Sequence, residues 1–336
     1  MAFQSNLNIL LGVISTVVTL TASCANIGDA TAMAENEYKP IRLTASAEDD
    51  RSIVSDNALP CTYTIFASAY FTSYTAPESN CDYFVAKPFI FCSGMWTAEP
   101  AVYWPVDGKL DILSIACEKD ALDVRKSASW HEGNCSNGIE VNLEDGECLG
   151  SEILYAAAYD RTVGQGDVPM QFRHAQSLLQ FVINTETEIL RIDRVVIENV
   201  YTGGLFRISN NVYMDAEWSF RGHRKTDLIV PGTENLIPDM GTPSICNVLL
   251  PEQDACNIAI HYSTRNSTAD DWSMSRSFVY RYKASANPWF YGEKNIFQIG
   301  FSFSEIKLEA CAKEWEELEE NINLQTESKI FINHEY

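Results

Sequence analysis

The sequence is short of basic residues, of histidine and of long uninterrupted hydrophobic runs, and each shortage removes a class of function. Lys and Arg together number 24 against 46 Asp and Glu, a formal net charge of -22. A phosphate backbone is held by clustered Lys and Arg, so a chain this acidic repels it and no nucleic-acid partner is expected. The 5 histidines (His131, His174, His223, His261, His334) stand singly, none of them two or four positions from another. That spacing offers no local metal site and no paired imidazole base. His174, in Phe172-Arg173-His174-Ala175, is therefore expected to hydrogen-bond structurally. The sequence also lacks the G-x-S-x-G elbow, H-E-x-x-H, the Walker loop, G-x-G-x-x-G, the EF-hand loop and C-x-x-C. No repeat of fixed period is present. Acidic residues abound, but a glycosidase needs two carboxylates facing each other across a cleft, which spacing alone cannot identify. Neither a catalytic residue, a cofactor nor a metal is expected, and the chain reads as a non-enzyme.

The longest apolar run, Leu7 to Leu20, is too short to span a bilayer comfortably as a helix, which takes about 20 residues. Thr21-Ala22-Ser23-Cys24 follows it directly. An apolar stretch followed by small residues reads as a signal peptide over 1–23, with cleavage before Cys24. Small residues ahead of a cysteine resemble a bacterial lipobox, so Cys24 is expected to be acylated and to tether the protein to a membrane rather than insert it. Export makes disulfides chemically available. Of 10 cysteines, the loss of Cys24 to a lipid leaves an odd number. Candidate partners are Cys61, Cys81 and Cys92 in one region, Cys135 with Cys148, and Cys246 with Cys256. Buried thiols acting as small hydrophobes are the competing expectation.

With 46% hydrophobic and 11% aromatic residues, the chain can bury a substantial core. Residues 24–58 are small, polar and acidic except for one β-like island, Tyr38 to Ala45, and read as a tether with a first strand. From Cys61 onward, runs rich in Val, Ile, Thr, Tyr and Phe are cut by Gly, Pro, Asn and Asp, the pattern of an all-β sandwich or barrel. Such runs are Thr62 to Ser73, Asp82 to Cys92, Lys109 to Ala116, Met170 to Asn184, Ile192 to Val200 and Asn257 to Tyr262. In one of them Val195 and Ile197 share a face opposite Arg194, Val196 and Glu198, the period of two. Strands do not alternate with helices, so antiparallel pairing is expected. Gly and Pro crowd residues 222–243, which sets an expected domain boundary at 225/226. The domains are then 59–225 and 226–316, with an extension at 317–336 that ends in the β-forming run Lys329 to Tyr336. Trp96, Tyr103, Trp104, Trp272, Trp289, Phe290 and Tyr291 offer stacking surfaces for sugars, or else pack in the core.

Several segments, in order, resemble the fimbrillin-like (Mfa-like) family of type V pilins and related surface lipoproteins. Tyr103-Trp104-Pro105 followed by Leu110 to Ala116 is similar to the family's Y-W-P segment and its next strand. Glu152-Ile153-Leu154-Tyr155-Ala156 is similar to its D-L-L-x-A segment. Val168 to Ala175 with Leu178 resembles its apolar-x-F-x-H-A-L stretch, and Trp289 to Phe303 with Trp315 its C-terminal block. Gln176 and Phe297 depart from the family, which often has Leu and Tyr there. The resemblance implies two tandem transthyretin-like antiparallel β-sandwich domains and a structural or adhesive role in a fimbria at the cell surface, with other pilin subunits as partners. It further implies removal of an N-terminal strand by an arginine-specific protease, with Arg51 the main candidate site and Arg42 the lesser one. The vacated groove accepts a strand from another subunit, and Ile330, Phe331, Ile332 and His334 are the candidate donor residues. The competing reading is a monomeric glycan-binding surface lipoprotein, with host or bacterial glycans or proteins as ligands.

Overall fold

The computed structural model describes residues 39–47, 58–118, 128–129, 138–150, 152–187, 189–213, 215–281, 288–302 and 306–314. Among them the chain forms strands and short 3-10 turns but no α-helix. The strands are β1 (Arg42–Ala47), β2 (Tyr63–Thr72), β3 (Cys81–Cys92), β4 (Met95–Ala98), β5 (Lys109–Glu118), β6 (Ala128–Ser129), β7 (Ile139–Leu143), β8 (Ile153–Arg161), β9 (Val168–His174) and β10 (Ser177–Thr185). They continue as β11 (Leu190–Val200), β12 (Gly204–Ile208), β13 (Ala216–Ser219), β14 (Thr226–Ile229), β15 (Ser244–Leu250), β16 (Ile258–Thr264), β17 (Arg276–Tyr280), β18 (Glu293–Phe301) and β19 (Ile306–Glu314).

Seven strands close into a barrel in the order β1-β4-β3-β2-β5-β8-β9. Alternation along β5 explains how the barrel is built into the larger body. Leu110, Ile112 and Ala116 point into the barrel core with Leu43, Phe89 and Trp96. Leu113, Ile115 and Cys117 point outward into a second core shared with Val141, Leu143 and Phe206. That second core is covered by the sheet β13-β12-β7-β6. β5 and its neighbour β8 are therefore buried on both faces, which accounts for the near-continuous apolar run Ile112 to Cys117.

The C-terminal body is a sandwich of two four-stranded sheets, β15-β10-β18-β19 and β14-β11-β16-β17. Val195 and Ile197 of β11 are fully buried in its core, as their shared face requires, alongside Phe181, Ile260, Trp289 and Phe297. Phe181 stacks on Phe297 at 5.0 Å between centroids.

Three expectations need correction, and one open alternative is decided. The pairing is not wholly antiparallel, since β1 runs parallel to β9 and β10 parallel to β18. Both pairs join strands separated by many others in the chain, so no hairpin forces them to be antiparallel. Met170 to Asn184 is not one run but two strands, β9 in the barrel and β10 in the sandwich. The sheets do not divide at 225/226, because β10 and β11 lie before that point yet pair with β15, β18, β14 and β16 beyond it. The glycines at 222, 232 and 241 adopt positive φ and make turns within the body rather than a linker. Of the two expectations for the cysteines, free thiols hold at Cys61, Cys92, Cys117, Cys148, Cys246 and Cys256. Cys246 and Cys256 share the sandwich core without bonding to each other, and the Cys256 thiol donates toward Asn199 O at 3.5 Å. Burial pushes the Cys117 thiol up to about 11 and raises those of Cys246 and Cys256, so these groups stay protonated and pack as hydrophobes.

Glu252, which accepts the Tyr291 N–H at 3.3 Å, and Glu293 at the start of β18 are both partly buried. Burial raises both carboxyls, and the charge of Glu252 raises Glu293 further. A carboxyl raised on folding stabilises at low pH, and that contribution is lost as pH rises through its folded value. At neutral pH both charges therefore oppose folding. Glu252→Gln and Glu293→Gln should each raise the melting temperature at pH 7 by a few degrees, with the gain vanishing near pH 4. Calorimetric melts across pH 4 to 8 check the direction, and a lower melting temperature at pH 7 would contradict it.

Candidate assembly site

The seam of the barrel is the segment 39–47, and it is held differently on its two sides. On one side Trp104 N–H donates to Lys39 O at 3.0 Å, Ile41 N–H to Val102 O at 2.7 Å, and Leu59 N–H to Ala45 O at 3.3 Å. Between those bonds Arg42 and Leu43 pair with Thr97 and Trp96 of β4. On the other side residues 43–47 run in register with 168–172 of β9. The side chains alternate as a strand with one buried face demands. Ile41 and Leu43 are 1% and 0% exposed and Ala45 packs on the same core, while Arg42, Thr44 and Ser46 face solvent. Three short pieces of chain, 102–104, β4 and 58–59, thus supply one wall of the seat in turn.

Arg42 lies within this ladder, with its Nη1 3.8 Å from Met95 Sδ on the outer face. Cys24, Arg51, Ile330, Phe331, Ile332 and His334 lie outside the described residues, as do residues 1–23 and Trp315. The structure describes both ends of the connection that carries Arg51, since Ser46 forms a bridge with Ala58.

His174, the residue singled out for a structural role, pairs with Glu152, Nδ1 to Oε1 at 2.9 Å. The Tyr63 hydroxyl donates to the other carboxylate oxygen at 2.5 Å. Burial alone would raise Glu152, but the imidazole and the phenol outweigh it and hold the carboxyl below its usual range. The phenol itself is raised by burial and by the carboxylate, so it is no base at neutral pH. The trio clips together β2, the start of β8 and the end of β9. His223 is held between Asp145 Oδ1 at 3.0 Å and Asn142 Oδ1 at 3.1 Å. Among the described residues no group of three or more His, Cys, Asp or Glu could hold a metal ion.

The aromatic candidates for sugar stacking do not share a face. Trp96 and Trp104 lie in the barrel core and Trp289 in the sandwich core. The ring of Trp272 has the guanidinium groups of Arg265 and Arg191 over it at 4.4 and 5.2 Å, and Tyr291 packs edge-on against Tyr155. Tyr103 and Phe290 remain exposed. Sequence reasoning missed the parallel docking of residues 43–47 on β9. The signal was present in the alternation of Val168, Met170 and Phe172 with Pro169 and Gln171, which marks a strand with one wet face and says nothing of its neighbour.

The register makes a direct prediction. Leu43→Ala should cost about 2–5 kcal/mol of stability by loss of buried volume. Thr44→Ala, one position away on the wet face, should stay within about 0.5 kcal/mol. Urea denaturation of the two variants checks this, and equal effects would refute the register.

The family model for fimbrillin-like proteins matches residues 64–315. Among solved structures, a Bacteroides uniformis protein assigned to cell adhesion is 14% identical, with 82% of this chain and 99% of that one covered and a TM-score of 0.49. A fimbrial protein from Bacteroides vulgatus is 11% identical, covering 82% of this chain and 99% of that one, with a TM-score of 0.45. The tip fimbrial protein Mfa3 of Porphyromonas gingivalis is also 11% identical, with 83% and 99% coverage and a TM-score of 0.42. These structural likenesses are distant. No curated protein matches the chain.

Proposed function

Because the chain belongs to the fimbrillin-like family, we propose that it is a subunit of a cell-surface fimbria, exported as a lipoprotein and joined to its neighbours by strand exchange. A fimbrial or adhesive role follows from the family; export, lipidation and exchange are the finer reading. The observation that supports exchange is the seat of residues 39–47. A strand that fills a barrel seam through main-chain bonds and two buried side chains can be replaced by another extended strand making the same bonds.

On this reading an acyl group on Cys24 holds the precursor at the outer membrane. An arginine-specific protease then cuts after Arg51, and the segment carrying Ile41 and Leu43 leaves. The open seat between β4 and β9 takes the donor strand of another subunit, with Ile330, Phe331, Ile332 and His334 on the donating side. Arg51 is favoured over Arg42 because the backbone of Arg42 is already engaged in the ladder, whereas a protease draws its substrate into an extended, unpaired form.

The test is mass spectrometry of the mature N-terminus before and after an arginine-specific protease, followed by electrophoresis for SDS-resistant ladders. The expected result is an acylated Cys24 before the cut, an N-terminus at Ser52 after it, and ladders that Arg51→Ala and deletion of 329–336 each abolish. Ladders that survive the deletion would exclude the donor assignment, and their survival in Arg51→Ala would exclude processing at that residue.

A further inference from the structure

β9 ends at His174 and β10 begins at Ser177, so the first passage of the chain from the barrel to the sandwich is two residues long, Ala175 and Gln176. Both are 0% exposed. Short buried linkers are unusual, because a buried backbone must find partners for every polar group. Here the partners come from three directions. Ala175 N–H donates to Ile153 O at 2.9 Å, and Ala175 O accepts the Trp218 indole N–H at 2.6 Å. The Gln176 side chain accepts Ile153 N–H at 2.8 Å and donates to Cys148 O at 2.9 Å. On the sandwich side, Gln176 O accepts Gly292 N–H at 2.9 Å, and the buried Asn295 amide donates to Ser177 Oγ at 3.1 Å. Gly292 sits at φ +74, a conformation that glycine adopts freely, and this turn delivers Tyr291 to the edge of Tyr155 in the core beneath the barrel.

We infer that residues 175–176 form a locked joint, with the Gln176 carboxamide as its key, that makes the barrel and the sandwich one stiff, cooperative body. A leucine would fill the same volume but leave Ile153 N–H and Cys148 O buried without this partner. The glutamine thus supplies contacts of fixed direction that a leucine could not, and the joint gains a defined angle. A body of this kind transmits tension across the joint without bending, and a ligand or neighbour bound to one half is presented at a fixed orientation to the other. The inference stands whether or not the chain exchanges strands.

The test compares the wild type with Gln176→Leu and Trp218→Phe by hydrogen exchange and mass spectrometry over a urea series, following peptides from β5 in the barrel and β16 in the sandwich. The wild type should lose protection in both peptides at one midpoint. Gln176→Leu should separate the two midpoints and speed exchange of the Gly292 amide by about tenfold under native conditions, although that amide bonds to the residue 176 backbone and not to its side chain. Trp218→Phe should separate the midpoints less. Distinct midpoints in the wild type, or coincident midpoints with unchanged Gly292 exchange in the variants, would overturn the inference. Should Gln176→Leu fail to fold, Trp218→Phe decides alone.

Discussion

The barrel is complete only because residues 39–47 lie between β4 and β9, and the barrel core depends on that closure. An open seam would expose two rows of main-chain donors and acceptors and the apolar side chains behind them, which invites pairing with another chain. Here the seam is filled from within by Ile41 and Leu43 on the core side and by ladder bonds on both edges. The proposed strand exchange rests on this same geometry, in which main-chain bonds are available to any extended strand and alternating pockets select its side chains.

The two bodies solve the problem of sheet edges in different ways. The barrel removes them by closure and covers the outer face of β5 and β8 with a second sheet, which leaves little room for those strands to slip. The sandwich keeps its edges and gains its core from strands that belong, in chain order, to both sides of the Gly- and Pro-rich stretch. β10 and β11 enter the sandwich early, the chain returns to β12 and β13 on the barrel side, and only then goes back for β14 to β19. This interleaving passes the chain between the halves three times, at residues 175–176, between β11 and β12 and between β13 and β14, and Trp218 of β13 reaches back to the linker carbonyl.

The parts that were legible in the sequence are those governed by local pattern. The strand at Ile192 to Val200 and its buried face follow from alternation, the strands at Tyr63 and Lys109 from runs of β-forming residues, and the structure reproduces all three. The parts that were not legible are set by pairing over long distance. Nothing in Met170 to Asn184 marks the place where one sheet ends and another begins, because Ala175 and Gln176 carry no Gly or Pro and lie buried. The boundary expected at 225/226 had the composition of a linker, yet Gly222, Gly232 and Gly241 serve ordinary turns. Closure of the barrel by a parallel pair has no local signature at all. Of the candidate site, the tether-borne strand was visible as the island Tyr38 to Ala45, while the wall it docks on was not.

Several polar groups buried in this molecule act as ties between separate elements. Glu152 has a histidine and a tyrosine on its two oxygens, a set that could be read as a catalytic trio. The physical consequences run the other way. Both neighbours stabilise the ionised carboxylate, the phenol is made harder to ionise by that same charge, and the three groups belong to three strands that the contact pins together. Gln176, Trp218 and the Ala175 backbone use polar atoms in the same manner, each satisfied by a partner on a different element. In a barrel and a sandwich filled with interchangeable aliphatic side chains, such directional contacts select one relative arrangement of the parts, which apolar burial alone does not do.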